Sequence, residues 1–190
     1  IVNFAKENAI EFAVVAPDDP LVLGAVDALE EIAQRHNVKL IVDAAQSAGV
    51  CPVSVREWQA AFVAVPGHKS LFGPQGTGML LCGQLPEPLV YGGTGSMSME
   101  MDMPVFLPDR GEAGTQKIPG IAGLYAGMAF LREYGISNAL SHERSLLTKL
   151  IEAMADIPQI KLFSGPIECQ TGVLSFTQDA MDCEELAGRL

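Results

Sequence analysis

The sequence predicts an α/β domain built on a mixed, mostly parallel sheet flanked by helices. Three observations carry that prediction. Apolar runs of strand length stand at residues 12–16 (FAVVA), 38–42 (VKLIV), 61–65 (AFVAV) and 78–82 (GMLLC). A segment with helical spacing separates the first two. Turn-forming residues interrupt the pattern at Pro17-Asp18-Asp19-Pro20 and again after Val65.

The elements follow in order. Residues 12–16 read as a strand, broken by the Pro-Asp-Asp-Pro turn. Leu21, Ala25, Leu29, Ile32 and Ala33 then place one apolar face on a helix ending near His36. Residues 38–42 are a continuous buried strand with Asp43 at its end. Residues 61–65 form another strand, followed at once by a loop rich in Gly and Pro, and residues 78–82 form a third. Residues 84–117 are rich in Gly, Pro and Met without regular period, and long loops of this kind are usually functional. Helices are expected from Ile118 to about Tyr134, entered through Pro119 and stopped by Gly135, and over residues 141–155. A strand at 172–176 and a helix from Cys183 follow. Residues 1–117 are therefore assigned to a large domain containing the 84–117 loop. Residues 118–190 supply connecting helices and the start of a smaller α+β domain. The chain begins at Ile1 inside an apparently folded segment and stops at Leu190 inside a helical pattern, so it reads as an internal piece of a longer protein.

Composition excludes several classes. Of 190 residues, 48% are hydrophobic and 18% charged, which is a globular balance rather than a disordered one. The longest helix-like apolar run, residues 121–131, falls short of the roughly 18 residues that suggest a membrane span. A formal net charge of −11 repels phosphate backbones and argues against nucleic acid as a partner. Cys51, Cys82, Cys169 and Cys183 form no CxxC pair, so no zinc knuckle or redox couple is indicated and no metal is expected. Reduced packing cysteines fit a cytoplasmic setting.

The chemistry concentrates in two places. Lys69 stands in the Gly- and Pro-rich loop after one apolar strand, and Asp43 ends another. Both fall beyond strand carboxyl ends, where α/β sheets hold ligands. Lys69 read alone is a surface lysine in a turn, and the loop is no Walker motif, because His68 precedes the lysine. Asp43 read alone either pairs with a cation or caps a turn. Gln46 and His68 also have ordinary readings, as a polar loop residue and a neutral core histidine. An amine and a carboxylate so placed are the two groups that pyridoxal phosphate chemistry needs. The amine forms a Schiff base with the aldehyde, and the carboxylate keeps the ring nitrogen protonated.

The combined pattern resembles the class V aminotransferase family of fold-type I pyridoxal-phosphate enzymes, and most closely its cysteine desulfurase-like members. The matching runs are Val42-Asp43-Ala44-Ala45-Gln46-Ser47-Ala48-Gly49, Gly67-His68-Lys69 with Gly73-Pro74-Gln75-Gly76-Thr77-Gly78, Gly92-Gly93-Thr94-Gly95-Ser96, and Arg110-Gly111-Glu112-Ala113-Gly114-Thr115. The resemblance implies that the sheet is part of a fold-type I large domain and that Lys69 carries the cofactor. It further implies that Asp43 meets the pyridinium nitrogen, Gln46 the ring hydroxyl and His68 the phosphate. Thr115 would reach the phosphate of a neighbouring subunit's cofactor, which implies a homodimer. The implied substrate is a small amino acid, cysteine, converted to alanine with sulfur passed to an enzyme thiol and a possible acceptor protein. Other implied outcomes are a selenocysteine lyase, an aminotransferase, or an incompetent fragment serving as a dimerisation module. Two departures stand out: Pro66 occupies the place of a phosphate-binding Ser or Thr, and Asp18 and Asp19 replace a cofactor-contacting Asn. None of the four cysteines matches the family's sulfur-accepting cysteine.

Overall fold

The computed structural model describes residues 25–190, the strand at 12–15 and Glu7. The expected turn at 17–20 and the first residues of the first helix, 21–24, lie outside the described residues. A four-stranded sheet runs in the order β1 (Phe12–Val15), β2 (Lys39–Asp43), β3 (Phe62–Pro66) and β4 (Gly78–Cys82). The first three strands are parallel and β4 is antiparallel to β3. This is the mixed, mostly parallel sheet that the apolar runs predict.

The register explains what the sheet buries. Val42 lies opposite Val63, and both are 0% exposed. Leu40 and Val65 share the buried set, while Ile41, Asp43, Phe62 and Ala64 are only half-buried. Because side chains alternate along a strand, Asp43 is set apart from the Val42 layer. Helix α1 (Ala25–His36) closes the Val42 layer through Val26.

Helix α2 (Ile118–Tyr134) starts through Pro119, whose missing N–H costs nothing in a first turn. Its buried row is Gly120, Leu124, Gly127 and Leu131, one stripe at helical spacing. Two of those four are glycines because the lysine loop crowds the helix there, with the Thr77 side chain against Gly120 and backbone against Gly127. A β-carbon on Gly127 would sit 2.8 Å from the carbonyl carbon of Phe72, closer than real atoms approach. Phe130 covers the rim, meeting Phe72 edge-on at 5.5 Å.

Helix α3 (Ile136–Ala155) begins five residues earlier than the sequence pattern indicates. Gly135, at φ +93°, both closes α2 and opens α3. Its carbonyl accepts from the amides of Asn138 and Ala139, each at 3.1 Å, and the Asn138 side chain donates to the Tyr134 carbonyl at 2.7 Å. A second, antiparallel sheet joins β5 (Ile160–Phe163) to β6 (Ser175–Gln178). The expected strand at 172–176 is thus β6, shifted towards the carboxyl end. Helix α4 (Cys183–Arg189) is capped by Asp182, whose Oδ1 accepts from the Glu185 amide at 2.9 Å.

Candidate active site

Asp43 and Lys69 reach one place because two neighbouring parallel strands end side by side. Asp43 pairs in register with Ala64, and the Ala44 amide donates to the Ala64 carbonyl at 2.9 Å, carrying the ladder one step past β2. The chain then turns sharply. Asp43 Oδ1 accepts from the Ala45 amide at 2.9 Å, so the carboxylate does cap a turn, as one of its two sequence readings has it. The turn closes through Ala48 to Ala44 at 3.0 Å and Cys51 to Ser47 at 2.7 Å.

The lysine loop is tied across its own base. The Gly67 amide donates to Thr77 O at 2.8 Å, and the Gly73 amide to Gly67 O at 2.7 Å. Phe72 donates to Lys69 O at 2.9 Å, and the Thr77 hydroxyl donates to Pro74 O at 2.6 Å. The turn after Asp43 and the lysine loop also touch. Gly49, at φ +102°, has its α-carbon so near Ser70 that a β-carbon would stand 2.6 Å from the Ser70 carbonyl carbon. Only glycine meets both conditions at this position.

Asp43, His68 and Lys69 line one cleft of about 600 Å3, with Ala64, Met79 and Leu80 among its walls. His68 is exposed and Lys69 half-buried. Gln46 does not line this cleft. It is exposed and, with Ser70, lines a neighbouring cavity of about 300 Å3 against Leu147 and Thr171. Thr115 lines neither, and lies exposed near the end of the long loop, after Gly114. The structure therefore brings three of the five sequence candidates together and leaves two apart.

Residues beyond those candidates organise the site. Ser70 is the bridge between the turn and the lysine loop. Gly120, Leu124 and Gly127 seat α2 on that loop, and three glycines inside one helical pattern were the available signal. Lys117 donates to Gln75 O at 3.0 Å, tying the end of the long loop to the lysine loop. The long loop is tied internally by the Gly114 amide to Gly93 O at 2.8 Å and by the Arg110 side chain.

No disulfide joins any of the four cysteines. Burial pushes the Cys82 thiol above its ordinary range. Among the described residues, no group of three or more His, Cys, Asp or Glu converges as a metal site. None of the described helices is long and apolar enough to cross a membrane.

A mixed sheet with a carboxylate and a lysine at adjacent strand ends defines the class. The aminotransferase class-V profile matches residues 21–190, and the chain belongs to that family. Among its relatives is a protein of Methanothermobacter thermautotrophicus named "Probable cysteine desulfurase". It is 37% identical over 175 residues, covering 87% of this chain and 43% of the relative. A cysteine desulfurase of Escherichia coli is 32% identical over 165 residues, covering 82% of this chain and 40% of that protein. Of solved structures, the apo cysteine desulfurase of Thermococcus onnurineus superposes with a TM-score of 0.78 at 28% identity. That superposition covers 98% of this chain and 49% of the other. The fold is accordingly a portion of the fold-type I architecture, with the start of its small α+β domain. The chain spans less than half the length of these relatives.

Proposed function

We propose that the intact protein binds pyridoxal phosphate through Lys69 and acts as a cysteine desulfurase, converting L-cysteine to L-alanine and passing sulfur to an enzyme thiol. One observation carries this reading: Asp43, His68 and Lys69 line a single cleft at the strand ends of a class-V chain. An amine, an imidazole and a carboxylate held in about 600 Å3 suit an aromatic aldehyde bearing a basic ring nitrogen and a phosphate.

When bound, pyridoxal phosphate supplies an aldehyde and an electron-withdrawing ring. Lys69 would hold it through its amine and would be the group that moves protons at the substrate. Asp43, its carboxylate oriented by the Ala45 amide on Oδ1, would keep a basic ring nitrogen protonated. His68, exposed at the cleft, would hold the phosphate. Gln46, which lines the neighbouring cavity with Ser70, would offer its carboxamide to the ring hydroxyl from that side. Pro66 brings neither a hydroxyl nor an N–H, so other groups take up that phosphate contact. Thr115, exposed on the long loop, would reach the phosphate of the neighbouring subunit's cofactor in a homodimer. The absence of disulfides among the four cysteines supports a reducing, cytoplasmic setting, and a sulfur-acceptor protein is implied by the proposed activity.

The test is borohydride reduction of the pyridoxal-phosphate-loaded intact protein, followed by peptide mass analysis and an assay of alanine from cysteine. A pyridoxyl label on Lys69, lost in Lys69→Ala, together with alanine release, is the expected result. A label on another lysine overturns the site. A label on Lys69 without alanine from cysteine moves the activity to a selenocysteine lyase or an aminotransferase, and no label leaves a dimerisation module.

A further inference from the structure

The long loop has a centre, and it is a side chain. Arg110 sits in the 3-10 turn Asp109–Gly111, five residues before Thr115. Its Nε donates to Pro86 O at 2.7 Å, Nη1 to Pro104 O at 3.4 Å, and Nη2 to Glu87 Oε2 at 2.8 Å. One guanidinium thus holds the beginning of the loop, its far side and its own turn together. The Arg110 side chain is 15% exposed and that of Glu87 is 89% exposed. An ion pair with so exposed a partner adds little, so the two carbonyl contacts do most of the fixing. The planar fork is what lets one group meet acceptors in different directions, and a lysine ammonium does not reproduce that geometry.

We infer that Arg110 is a positioning residue that sets the placement of Thr115 for the cofactor phosphate. The inference rests on the proposed role of Thr115 in binding pyridoxal phosphate. From Arg110 the chain runs through Gly111 and Glu112 to Gly114, whose amide is held by Gly93 O at 2.8 Å. Gly93 belongs to the span that the Arg110 bonds close. Gly114 takes φ +96° and turns the chain at Thr115. Lys117 then anchors the far side through Gln75 O. Thr115 therefore lies between a fixed end at Lys117 and an end whose position depends on the Arg110 fork. Releasing the fork frees the 84–111 span and adds an ordering cost each time Thr115 engages a ligand.

The test is a double-mutant cycle in the intact protein, with the dissociation constant of pyridoxal phosphate as readout and limited proteolysis within 84–111 as a second. Arg110→Lys keeps the charge and is expected to weaken binding about tenfold, by loss of charged hydrogen bonds, and to expose the loop to protease. Thr115→Ala is expected to weaken binding similarly. The double variant is expected to be no weaker than Thr115→Ala alone, the mark of one pathway of action. Glu87→Gln is expected to stay within about twofold of the parent, since its ion pair is exposed. Unchanged melting temperature in Arg110→Lys separates positioning from general stability. If Thr115→Ala weakens binding and Arg110→Lys does not, or the two effects multiply, the role of Arg110 is overturned and that of Thr115 stands. If Thr115→Ala leaves binding unchanged, both roles are overturned.

Discussion

The loop that carries Lys69 and the loop that leads to Thr115 are adjacent in sequence and fixed by opposite means. The first is short and held by its own main chain: Gly67 to Thr77, Gly73 to Gly67 and Phe72 to Lys69 close it without a charged group. Leu71 is buried under it and a glycine-bearing helix lies against it. The second is long and held largely by side chains, three of its ties meeting at the Arg110 guanidinium and another joining Ser96 to Asp109. It shows water a series of large apolar side chains, with Leu89 and Met99 each 98% exposed and Met101 97%. On the proposed function, an amine that meets an aldehyde at bonding distance needs the first kind of support. A loop proposed to offer one hydroxyl to a second copy of the chain can use the second, and its bare methionines are apolar surface of the kind that contacts between molecules cover.

The largest way to break this contrast is to spoil the seat of the lysine loop. Gly127→Val places atoms where the Phe72 backbone already stands, and backbone cannot yield as a side chain does. The expected loss is about 3 kcal/mol of stability, with the Lys69 loop opening to protease first, and thermal unfolding with peptide mapping checks it. A loss under about 0.5 kcal/mol would mean that helix and loop do not depend on each other.

A milder measure compares thiols. Cys82 ends β4 opposite Phe62, at the end of the strand away from the lysine loop, its thiol donating to Leu80 O at 3.5 Å, and burial holds its pKa above the ordinary value. Raising a thiol pKa lowers its thiolate fraction near neutral pH. Iodoacetamide should therefore modify exposed Cys183 about tenfold faster than Cys82, read by mass spectrometry of early time points. Equal rates would show that the strand edge at β4 opens as readily as the surface.

The smallest effect is expected in the long loop itself. Met99→Ser and Met101→Ser remove side chains with no burial to lose, so stability should change by less than about 0.5 kcal/mol in dilute protein. A larger loss that grows with protein concentration would show that a second molecule covers these residues.

How much of this was legible in the chain follows the same division. Strands β2, β3 and β4 were readable because each carries a short apolar run, and Asp43 and Lys69 were readable as polar residues at or just past the ends of two of those runs. Strand β5 was not, because residues 160–163 are few and alternate between half-buried and exposed, and owe their strand form to pairing with residues 12 to 18 positions on. The start of α3 was missed because Gly135 serves two helices at once, and a glycine reads as a stop. The position of Gln46 outside the main cleft depends on the turn after Asp43, which the period of the sequence does not encode. The Arg110 fork joins a side chain to carbonyls, and carbonyls carry no residue identity for a sequence reader to notice.

The glycines of α2 have a consequence for engineering. The contour of the lysine loop is impressed on that helix as missing side chains at Gly120, Gly123 and Gly127, with Pro74 filling the notch at Gly123 at 3.0 Å from where a β-carbon would stand. Helix and loop are thus a mould and its cast, separated by some forty residues of chain. A chimera that takes residues 67–77 from one relative and residues 118–134 from another mixes two moulds. These segments are one cassette, to be exchanged together or not at all.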